Sequence, residues 1–422
     1  MLPRVNTDYY ICFRPGNIGY RLPLQTPQAA PSWRGYRLID PTMARRRSFV
    51  SILAILLLLH AYIGLRLLPA MDAGVIGMLA GAVFLAASAA LVRIGLVAPS
   101  LRRTRWSEPL TWAGLLAMGL FSSLFVLTLL RDLVLVALAV GGAGGPAFTH
   151  DSAVAVPLLA LAVTCIGFIN ARRVARVVKV EVPIDGLPED LHGYSIAQIS
   201  DIHVGPTIRR PYLNAIVTKV NALKPDAIAI TGDLVDGSVQ RLAMHTEPLA
   251  RLSAPDGTFF VTGNHEYYSG AEQWIAEVRR LGLRVLLNEH VIRRRGGAKL
   301  MIAGVTDYTA QHFNPAHKSD PHLAAAGAPD DVAVRILLAH QPRTAPAAAD
   351  AGFDLQLSGH THGGQFFPWN LFVPLQQPFV AGLNRVRSLW VYTSRGTGYW
   401  GPPKRFGAPS EITLVRLVPG RA

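Results

Sequence analysis

Five times in the second half of this chain, a short β-prone run stops at an Asp, an Asn or a His. Ala197 to Ser200 leads into Asp201-Ile202-His203, and Ile228 to Gly232 into Asp233-Leu234-Val235-Asp236. Phe260 to Gly263 leads into Asn264-His265-Glu266, Ile336 to Ala339 into His340, and Leu355 to Gly359 into His360-Thr361-His362. Residues at the carboxyl ends of neighbouring strands converge on one rim of an open α/β sheet. The pattern therefore predicts an α/β domain with all five motifs on one edge. Gly232, Gly263 and Gly359 suit sharp turns and close backbone approach there.

The residue types limit the chemistry. Carboxylates, imidazoles and one amide are oxygen and nitrogen donors, and together they are enough for two cations side by side. Cys12 and Cys165 are far apart, which excludes a disulfide framework and a thiolate site. Such a donor set suits manganese, iron or zinc and carries too many imidazoles for calcium. One carboxylate can bridge two cations. Asp233 is the candidate, because its motif lies between the others and is the richest in acid.

The first half has a different texture. Four apolar runs, Ser48 to Leu68, Ala73 to Val92, Leu110 to Leu130 and Ala153 to Asn170, each approach the roughly 20 residues a helix needs to cross a bilayer. Pro109 and Pro157 fit first helical turns. Leu133 to Val140 is too short to span and either extends the third helix or lies at the interface. Gly141 to Gly145 reads as a flexible loop. His60, inside the first run, reads as a hydrogen-bonding partner of a neighbouring helix rather than a functional group. The chain is 50% hydrophobic and only 16% charged, in keeping with a membrane part.

Net charge is +14. Arg45 to Arg47, Arg102, Arg103, Arg105, Arg172, Arg173 and Arg176 flank the apolar runs, so the excess reads as lipid-facing rather than as a nucleic-acid surface. Their distribution places both ends, and the second half, in the cytoplasm of a multi-pass cell-membrane protein. Arg46-Arg47-Ser48-Phe49-Val50 competes as part of a twin-arginine export signal, but no small-residue cleavage site follows the first run. Residues 1–42 read as a disordered tail or a mis-assigned start, 43–177 as a four-helix transmembrane region, and 178–422 as the α/β domain.

Within that domain, strands are predicted at Tyr194–Ser200, Ala227–Thr231, Thr258–Thr262, Leu300–Val305, Val334–Ala339 and Leu355–Ser358. Helices are predicted at Pro211–Leu223 and Ala271–Leu281. Leu323–Asp331 and Thr344–Asp350 read as connectors. Arg293-Arg294-Arg295 reads as a headgroup contact or a loop cap. Arg395, Lys404 and Arg405 read equally as phosphate binders or solvated loop charges. His192, His245, His290, His312, His317 and His322 read as surface or structural residues.

The ordered set Asp-x-His, Gly-Asp-x-x-Asp, Gly-Asn-His-Glu, His and Gly-His-Thr-His resembles the calcineurin-like metallophosphoesterases from about Val180 onward. Gly359 to Gln365, with Ser394 to Gly398 and Glu411 to Thr413, resembles the branch of bacterial membrane- or wall-associated phosphodiesterases of the YkuE and YaeI type. The resemblance implies a four-layer αββα sandwich. It implies that Asp201, His203 and His362 hold one metal, that Asn264, His340 and His360 hold the other, and that Asp233 bridges. It further implies that His265 faces the leaving oxygen, that Asp236 orients it, and that a metal-activated water attacks phosphorus.

The expected activity is metal-dependent hydrolysis of a membrane-proximal phosphoester, with a lipid-linked substrate among the options. A lipid-linked nucleotide-sugar pyrophosphatase is the nearest alternative, although that type carries arginine where this chain has His265. A transmembrane sensor or transporter with a regulatory esterase domain is the alternative from another class. Few charges lie within the apolar runs, which counts against transport. Substrate, native metal and oligomeric state are not legible in the sequence.

Overall fold

The computed structural model describes residues 41–97 and 105–420. The expected tail lies outside the described residues except for its last two positions. Arg102 and Arg103 lie outside them too. The described residues open with four helices: α1 (Pro41–Leu67), α2 (Gly74–Val97), α3 (Ser107–Val140) and α4 (Pro146–Arg172). Among the described residues, α2, α3 and α4 are long and apolar enough to cross a membrane, and the apolar stretch Leu53–Leu67 of α1 is shorter. Leu133 to Val140 extends α3. Pro157 lies inside α4 rather than in its first turn, because Pro146 after Gly145 already supplies a favoured start.

Small and polar residues face inward between these helices. Gly95 of α2 and Gly114 of α3 meet so closely that a Cβ on either would collide with the other's backbone. His60 lies 3.1 Å from Ser88 Oγ through Nε2 and stacks on Phe121, the helix-to-helix contact expected of it. Arg66 pairs with Asp132, which also accepts from Tyr62, and buried Arg131 donates to Ser152 Oγ and the Thr149 carbonyl.

The α/β domain holds two six-stranded sheets. The chain order is β1 (Arg176–Ile184), β2 (Ser195–Ile199), α5 (Arg210–Ala222), β3 (Ala227–Ile230), α6 (Val239–Thr246), β4 (Thr258–Phe260), α7 (Asn264–Ser269), α8 (Ala271–Arg280) and β5 (Arg284–Val285). Then come β6 (Glu289–Arg295), β7 (Ala298–Gly304), α9 (Pro321–Ala325), β8 (Val332–Leu338), α10 (Ala345–Asp350), β9 (Leu355–Ser358), β10 (Gly382–Val386), β11 (Leu389–Thr393) and β12 (Glu411–Pro419). One sheet runs β1-β12-β2-β3-β4-β5 and the other β10-β11-β9-β8-β7-β6. Both are mixed: β12 is antiparallel to β2, β6 to β7 and β10 to β11, and the remaining pairs are parallel.

Burial explains the arrangement. Ile196, Ala229 and Phe259 of one sheet share a core with Leu300, Ile336 and Leu357 of the other. On its other face the first sheet buries Ile199, Ile230 and Phe260 with Ile216 of α5 and Trp274 and Val278 of α8. The second sheet buries Met301, Leu337 and Val391 with Ala324 of α9 and Ala345 and Ala348 of α10. Strands buried on both faces read as continuous apolar runs, as Ile228 to Ile230 and Ile336 to Leu338 do.

Three expectations need correction. The two alanine-rich connectors hold the last three residues of α9 and all of α10, because alanine favours helix and fits tightly against a sheet. Arg293 to Arg295 end strand β6, where Arg293 donates to the Asp256 carbonyl and lies over the Phe259 ring. Lys404 and Arg405 are not solvated loop charges. Arg395 pairs with buried Glu411, while Lys404 and Arg405 are buried and hydrogen-bonded to protein groups.

Candidate metal centre

All five motifs lie just past the ends of β2, β3, β4, β8 and β9, on the rim shared by the two sheets. The loops are stitched together by their backbones. Asp201 N–H donates to the Gly232 carbonyl, His203 N–H to the Asp233 carbonyl, and Gly359 N–H to the His340 carbonyl. Below them Gln198 Nε2 donates to Thr231 Oγ1 and to the Ser358 carbonyl, which joins the sheets.

The backbone there is strained. Asp201, His203, Asp233, His360 and His362 all have φ between 51 and 71°, a region costly for residues with a Cβ and concentrated at functional sites. The glycines allow the crowding. A Cβ on Gly263 would come within 2.2 Å of Asp233 Oδ1, and one on Gly359 within 2.1 Å of Asp201 Oδ2.

Three groups of side chains face one another: Asp201, His203 and His362; Asp233, His340 and His360; and His203, Asp236 and His265. In each, the potential ligand atoms lie within 4.8 Å of one another. His203 Nε2 is 3.0 Å from His362 Nε2, and His360 Nδ1 is 3.2 Å from His340 Nε2. Asp233 Oδ2 sits among three imidazoles, at 3.2 Å from His340 Nε2 and 3.9 Å from both His203 Nε2 and His265 Nε2. Asp201 Oδ1 is 3.5 Å from His362 Nε2.

Second partners fix the orientation of several rings. His340 Nδ1 is 2.8 Å from the Thr231 carbonyl, which can only accept, so Nδ1 donates there and the ring is held with Nε2 facing inward. Asp236 Oδ1 lies 2.9 Å from His203 Nδ1 and 2.7 Å from His265 Nδ1. Asp236 thus holds two rings, where the sequence suggested one. Asn264 begins α7, and its Oδ1 is buried with no hydrogen-bond partner. A bare amide oxygen between Gly263 and His265 is what a missing cation would leave. Oxygen and nitrogen donor groups facing inward, and no thiol, fit divalent manganese, iron or zinc.

Charges at the rim perturb one another. Burial opposes ionisation of Asp233, but His340 and His265 outweigh it and hold its pKa well below the usual value. Burial likewise opposes protonation of His340, yet Asp233 and Asp201 raise its pKa well above normal. His265 is raised to about 9, with Asp233 and Asp236 overcoming burial. Burial and the positive neighbours His340 and Arg405, respectively, depress His360 to about 3 and His362 well below its usual value. Burial raises Asp201.

One residue in a quoted motif had no role assigned from sequence. Glu266 is fully buried, and its carboxylate accepts from the N–H groups of Gly263, Asp233 and Leu234. It clamps two of the motif loops together. Its place in Gly263-Asn264-His265-Glu266 was the available signal. Arg405 was assigned differently. It donates to the His362 carbonyl, and its Nη2 lies 3.1 Å from His362 Nδ1.

Comparison with known proteins agrees with this geometry. The sequence model for "Calcineurin-like phosphoesterase" matches residues 194–364. The chain is 41% identical over 272 residues to "Transmembrane protein with metallophosphoesterase domain" of Danio rerio, covering 62% of each. It is 35% identical over 316 residues to "Uncharacterized metallophosphoesterase Cj0846" of Campylobacter jejuni, covering 73% of this chain and 82% of that one. It is 30% identical over 239 residues to "Uncharacterized metallophosphoesterase YkuE" of Bacillus subtilis, covering 55% and 81%. The chain thus spans about 62% of the length of the first curated relatives it matches.

Proposed function

Since the chain belongs to the calcineurin-like metallophosphoesterases, phosphoric ester hydrolases, we propose that it is a membrane-anchored phosphodiesterase or phosphatase with a dinuclear centre, acting on a membrane-proximal phosphoester. The observation that carries this reading is Asp233 Oδ2, a single carboxylate oxygen within 3.9 Å of three imidazoles from three motifs.

Asp201, His203 and His362 would hold one cation, Asn264, His340 and His360 the other, and Asp233 both. Two divalent cations held there would supply a water acidic enough to ionise near neutral pH and would neutralise charge on the phosphoryl oxygens. The chain's own groups do the rest. His265 delivers a proton to the departing oxygen through Nε2. Asp236 keeps that ring in the required tautomer while also orienting His203. Glu266 fixes the loops that carry Asp233 and Asn264. All four N-terminal helices cross the membrane, and the basic flanks support a cytoplasmic domain. Two sheets with one shared core and two outer cores support the four-layer αββα sandwich.

The test is the purified full chain stripped of metal, then resupplied with Mn²⁺, Fe²⁺ or Zn²⁺ and assayed on p-nitrophenyl diesters and monoesters. Restored turnover that is absent in Asp233→Asn supports the reading. Undiminished turnover after thorough metal removal rules it out.

A further inference from the structure

No charged residue occurs from Gly363 to Asn384, a stretch that sequence reasoning left without a role. Its first part leaves the rim directly after His362 and folds into two short turns, Trp369–Leu371 and Val373–Leu375. Phe367, Leu371, Phe372 and Leu375 expose 52, 62, 53 and 81% of their surface. The domain buries comparable side chains such as Phe259, Phe260 and Phe353. A run of large apolar groups left outside marks an interaction surface.

Its position identifies what covers it. Trp369 Nε1 donates to Ser122 Oγ of α3 at 3.0 Å. Nearby, Lys404 Nζ donates to the Gly119 carbonyl and to Ser123 Oγ of α3, and Arg405 N–H donates to the Gly167 carbonyl of α4. From Ser107 to Ser122, α3 rises about 22 Å at ~1.5 Å per residue. The whole 34-residue helix is about 51 Å long against about 30 Å of hydrocarbon. If all the surplus length precedes the membrane, Ser122 lies at the hydrocarbon boundary. If the surplus lies at the other end, Ser122 lies deeper. In both cases the apolar segment is level with lipid. The segment also reaches the rim. Gln365 exchanges two hydrogen bonds with the Trp400 backbone, and the exposed Trp400 ring is 5.7 Å from His265.

We propose that residues 366–376 form an in-plane sill that inserts Phe367, Leu371, Phe372 and Leu375 among lipid tails beside α3. Through this sill the rim takes a phosphoester carried on a lipid from the side. Tryptophans at the headgroup level and an uncharged apolar edge are the chemistry of bilayer insertion. The sill meets α3 at Ser122 through Trp369. The substrate part of this inference rests on the metal-centre reading above, whereas the insertion does not.

The experiment uses the full chain, with Cys12 and Cys165 replaced by serine, in phosphatidylcholine/phosphatidylglycerol nanodiscs. Single cysteines at Leu371, Leu375 and, as a control, exposed Asp330 receive an environment-sensitive dye. The sill predicts quenching by spin-labelled lipid and protection from aqueous iodide at the first two positions only. Iodide quenching at Leu371 and Leu375 equal to that at Asp330 overturns the insertion. Activity is read on p-nitrophenyl hexadecyl phosphate in vesicles and on p-nitrophenyl methyl phosphate in solution. Wild type should prefer the lipid ester at least tenfold in kcat/KM. A Leu371→Ser, Phe372→Ser, Leu375→Ser variant should lose that preference and keep turnover of the methyl ester within twofold. A preference that survives in this variant, or its absence in wild type, overturns the lipid route. An Mn²⁺-loaded wild type that turns over neither ester defeats the metal-centre reading while leaving the dye result to stand or fall alone.

Discussion

The helical region and the α/β domain are built inside out with respect to each other. In the helices Ile76, Leu79, Val83 and Val136 face outward, while Ser88, Thr111, Ser123 and Thr128 are buried. In the domain Phe259, Ile336 and Leu338 are buried, and the outside is largely polar and charged. A bilayer rewards outward apolar groups and leaves close backbone contact and hydrogen bonds to hold helices together. Water rewards the opposite. Buried charge follows the same division. In the domain it gathers at one rim as carboxylates and imidazoles facing each other, whereas at the helices the half-buried Asp132 is paired with Arg66 and Tyr62. The lesson is that a carboxylate with its cationic and hydroxyl partners already in place, like Asp132, is structural. One surrounded by inward imidazole nitrogens, like Asp233, is waiting for something.

The largest effects test that distinction. Asp233→Asn should lower diester turnover by on the order of 10³-fold and reduce bound metal, read by assay and elemental analysis. Asp132→Asn, in the same assay, should leave turnover within twofold. Comparable losses in the two variants would erase the contrast. Next in size, His265→Gln should retain metal while losing about 10²-fold in kcat, as expected of a proton donor rather than a ligand. If metal content falls with it, His265 belongs with the ligands.

Packing gives the third comparison. Ile336→Ala removes methyl groups from the core shared by the two sheets and should cost about 2–4 kcal/mol, seen as a clear drop in apparent Tm in nanodiscs. Leu79→Ala on the outer face of α2 should change it by no more than about 0.5 kcal/mol. A large loss at Leu79 would mean that protein, not lipid, covers that face. The last comparison concerns Lys404, whose amine burial lowers to about 8. The unfolded chain then binds more protons than the folded one between that value and the ordinary lysine pKa, so folding gains stability as pH rises through this window. Lys404→Met should flatten that rise, measured as apparent Tm against pH.

Much of the domain was legible because the signals are local. An apolar run ending in glycine and a carboxylate marks both a strand and its functional end, and α5 and α8 carry the amphipathic pattern of surface helices. Several of the missed elements depend on distant parts of the chain. Among them, strands β1, β11 and β12 are set by partners far away: β12, the last strand, lies between β1 and β2, and only that insertion makes Glu411 to Pro419 central. Helices α9 and α10 are too short to show a period. For the site, the residue types were readable, but Glu266 and the double role of Asp236 were not. A carboxylate that clamps two loops looks the same in sequence as one on the surface. Lys404 and Arg405 were misjudged because a basic pair in a Gly/Pro-rich loop gives no hint that helix backbones will cover it.

By itself, then, the sequence determined which side chains can bind a cation, that they end strands, and that the first half is apolar enough for a membrane. Those facts follow from side-chain chemistry and from short-range periodicity. Only the tertiary structure decided that three imidazoles from three loops surround one oxygen of Asp233, that Asp236 serves two rings, and that an uncharged loop beside His362 lies against α3. These depend on contacts between residues tens to hundreds of positions apart, and long-range contacts are fixed by the packing of whole layers rather than by any local stretch of chain.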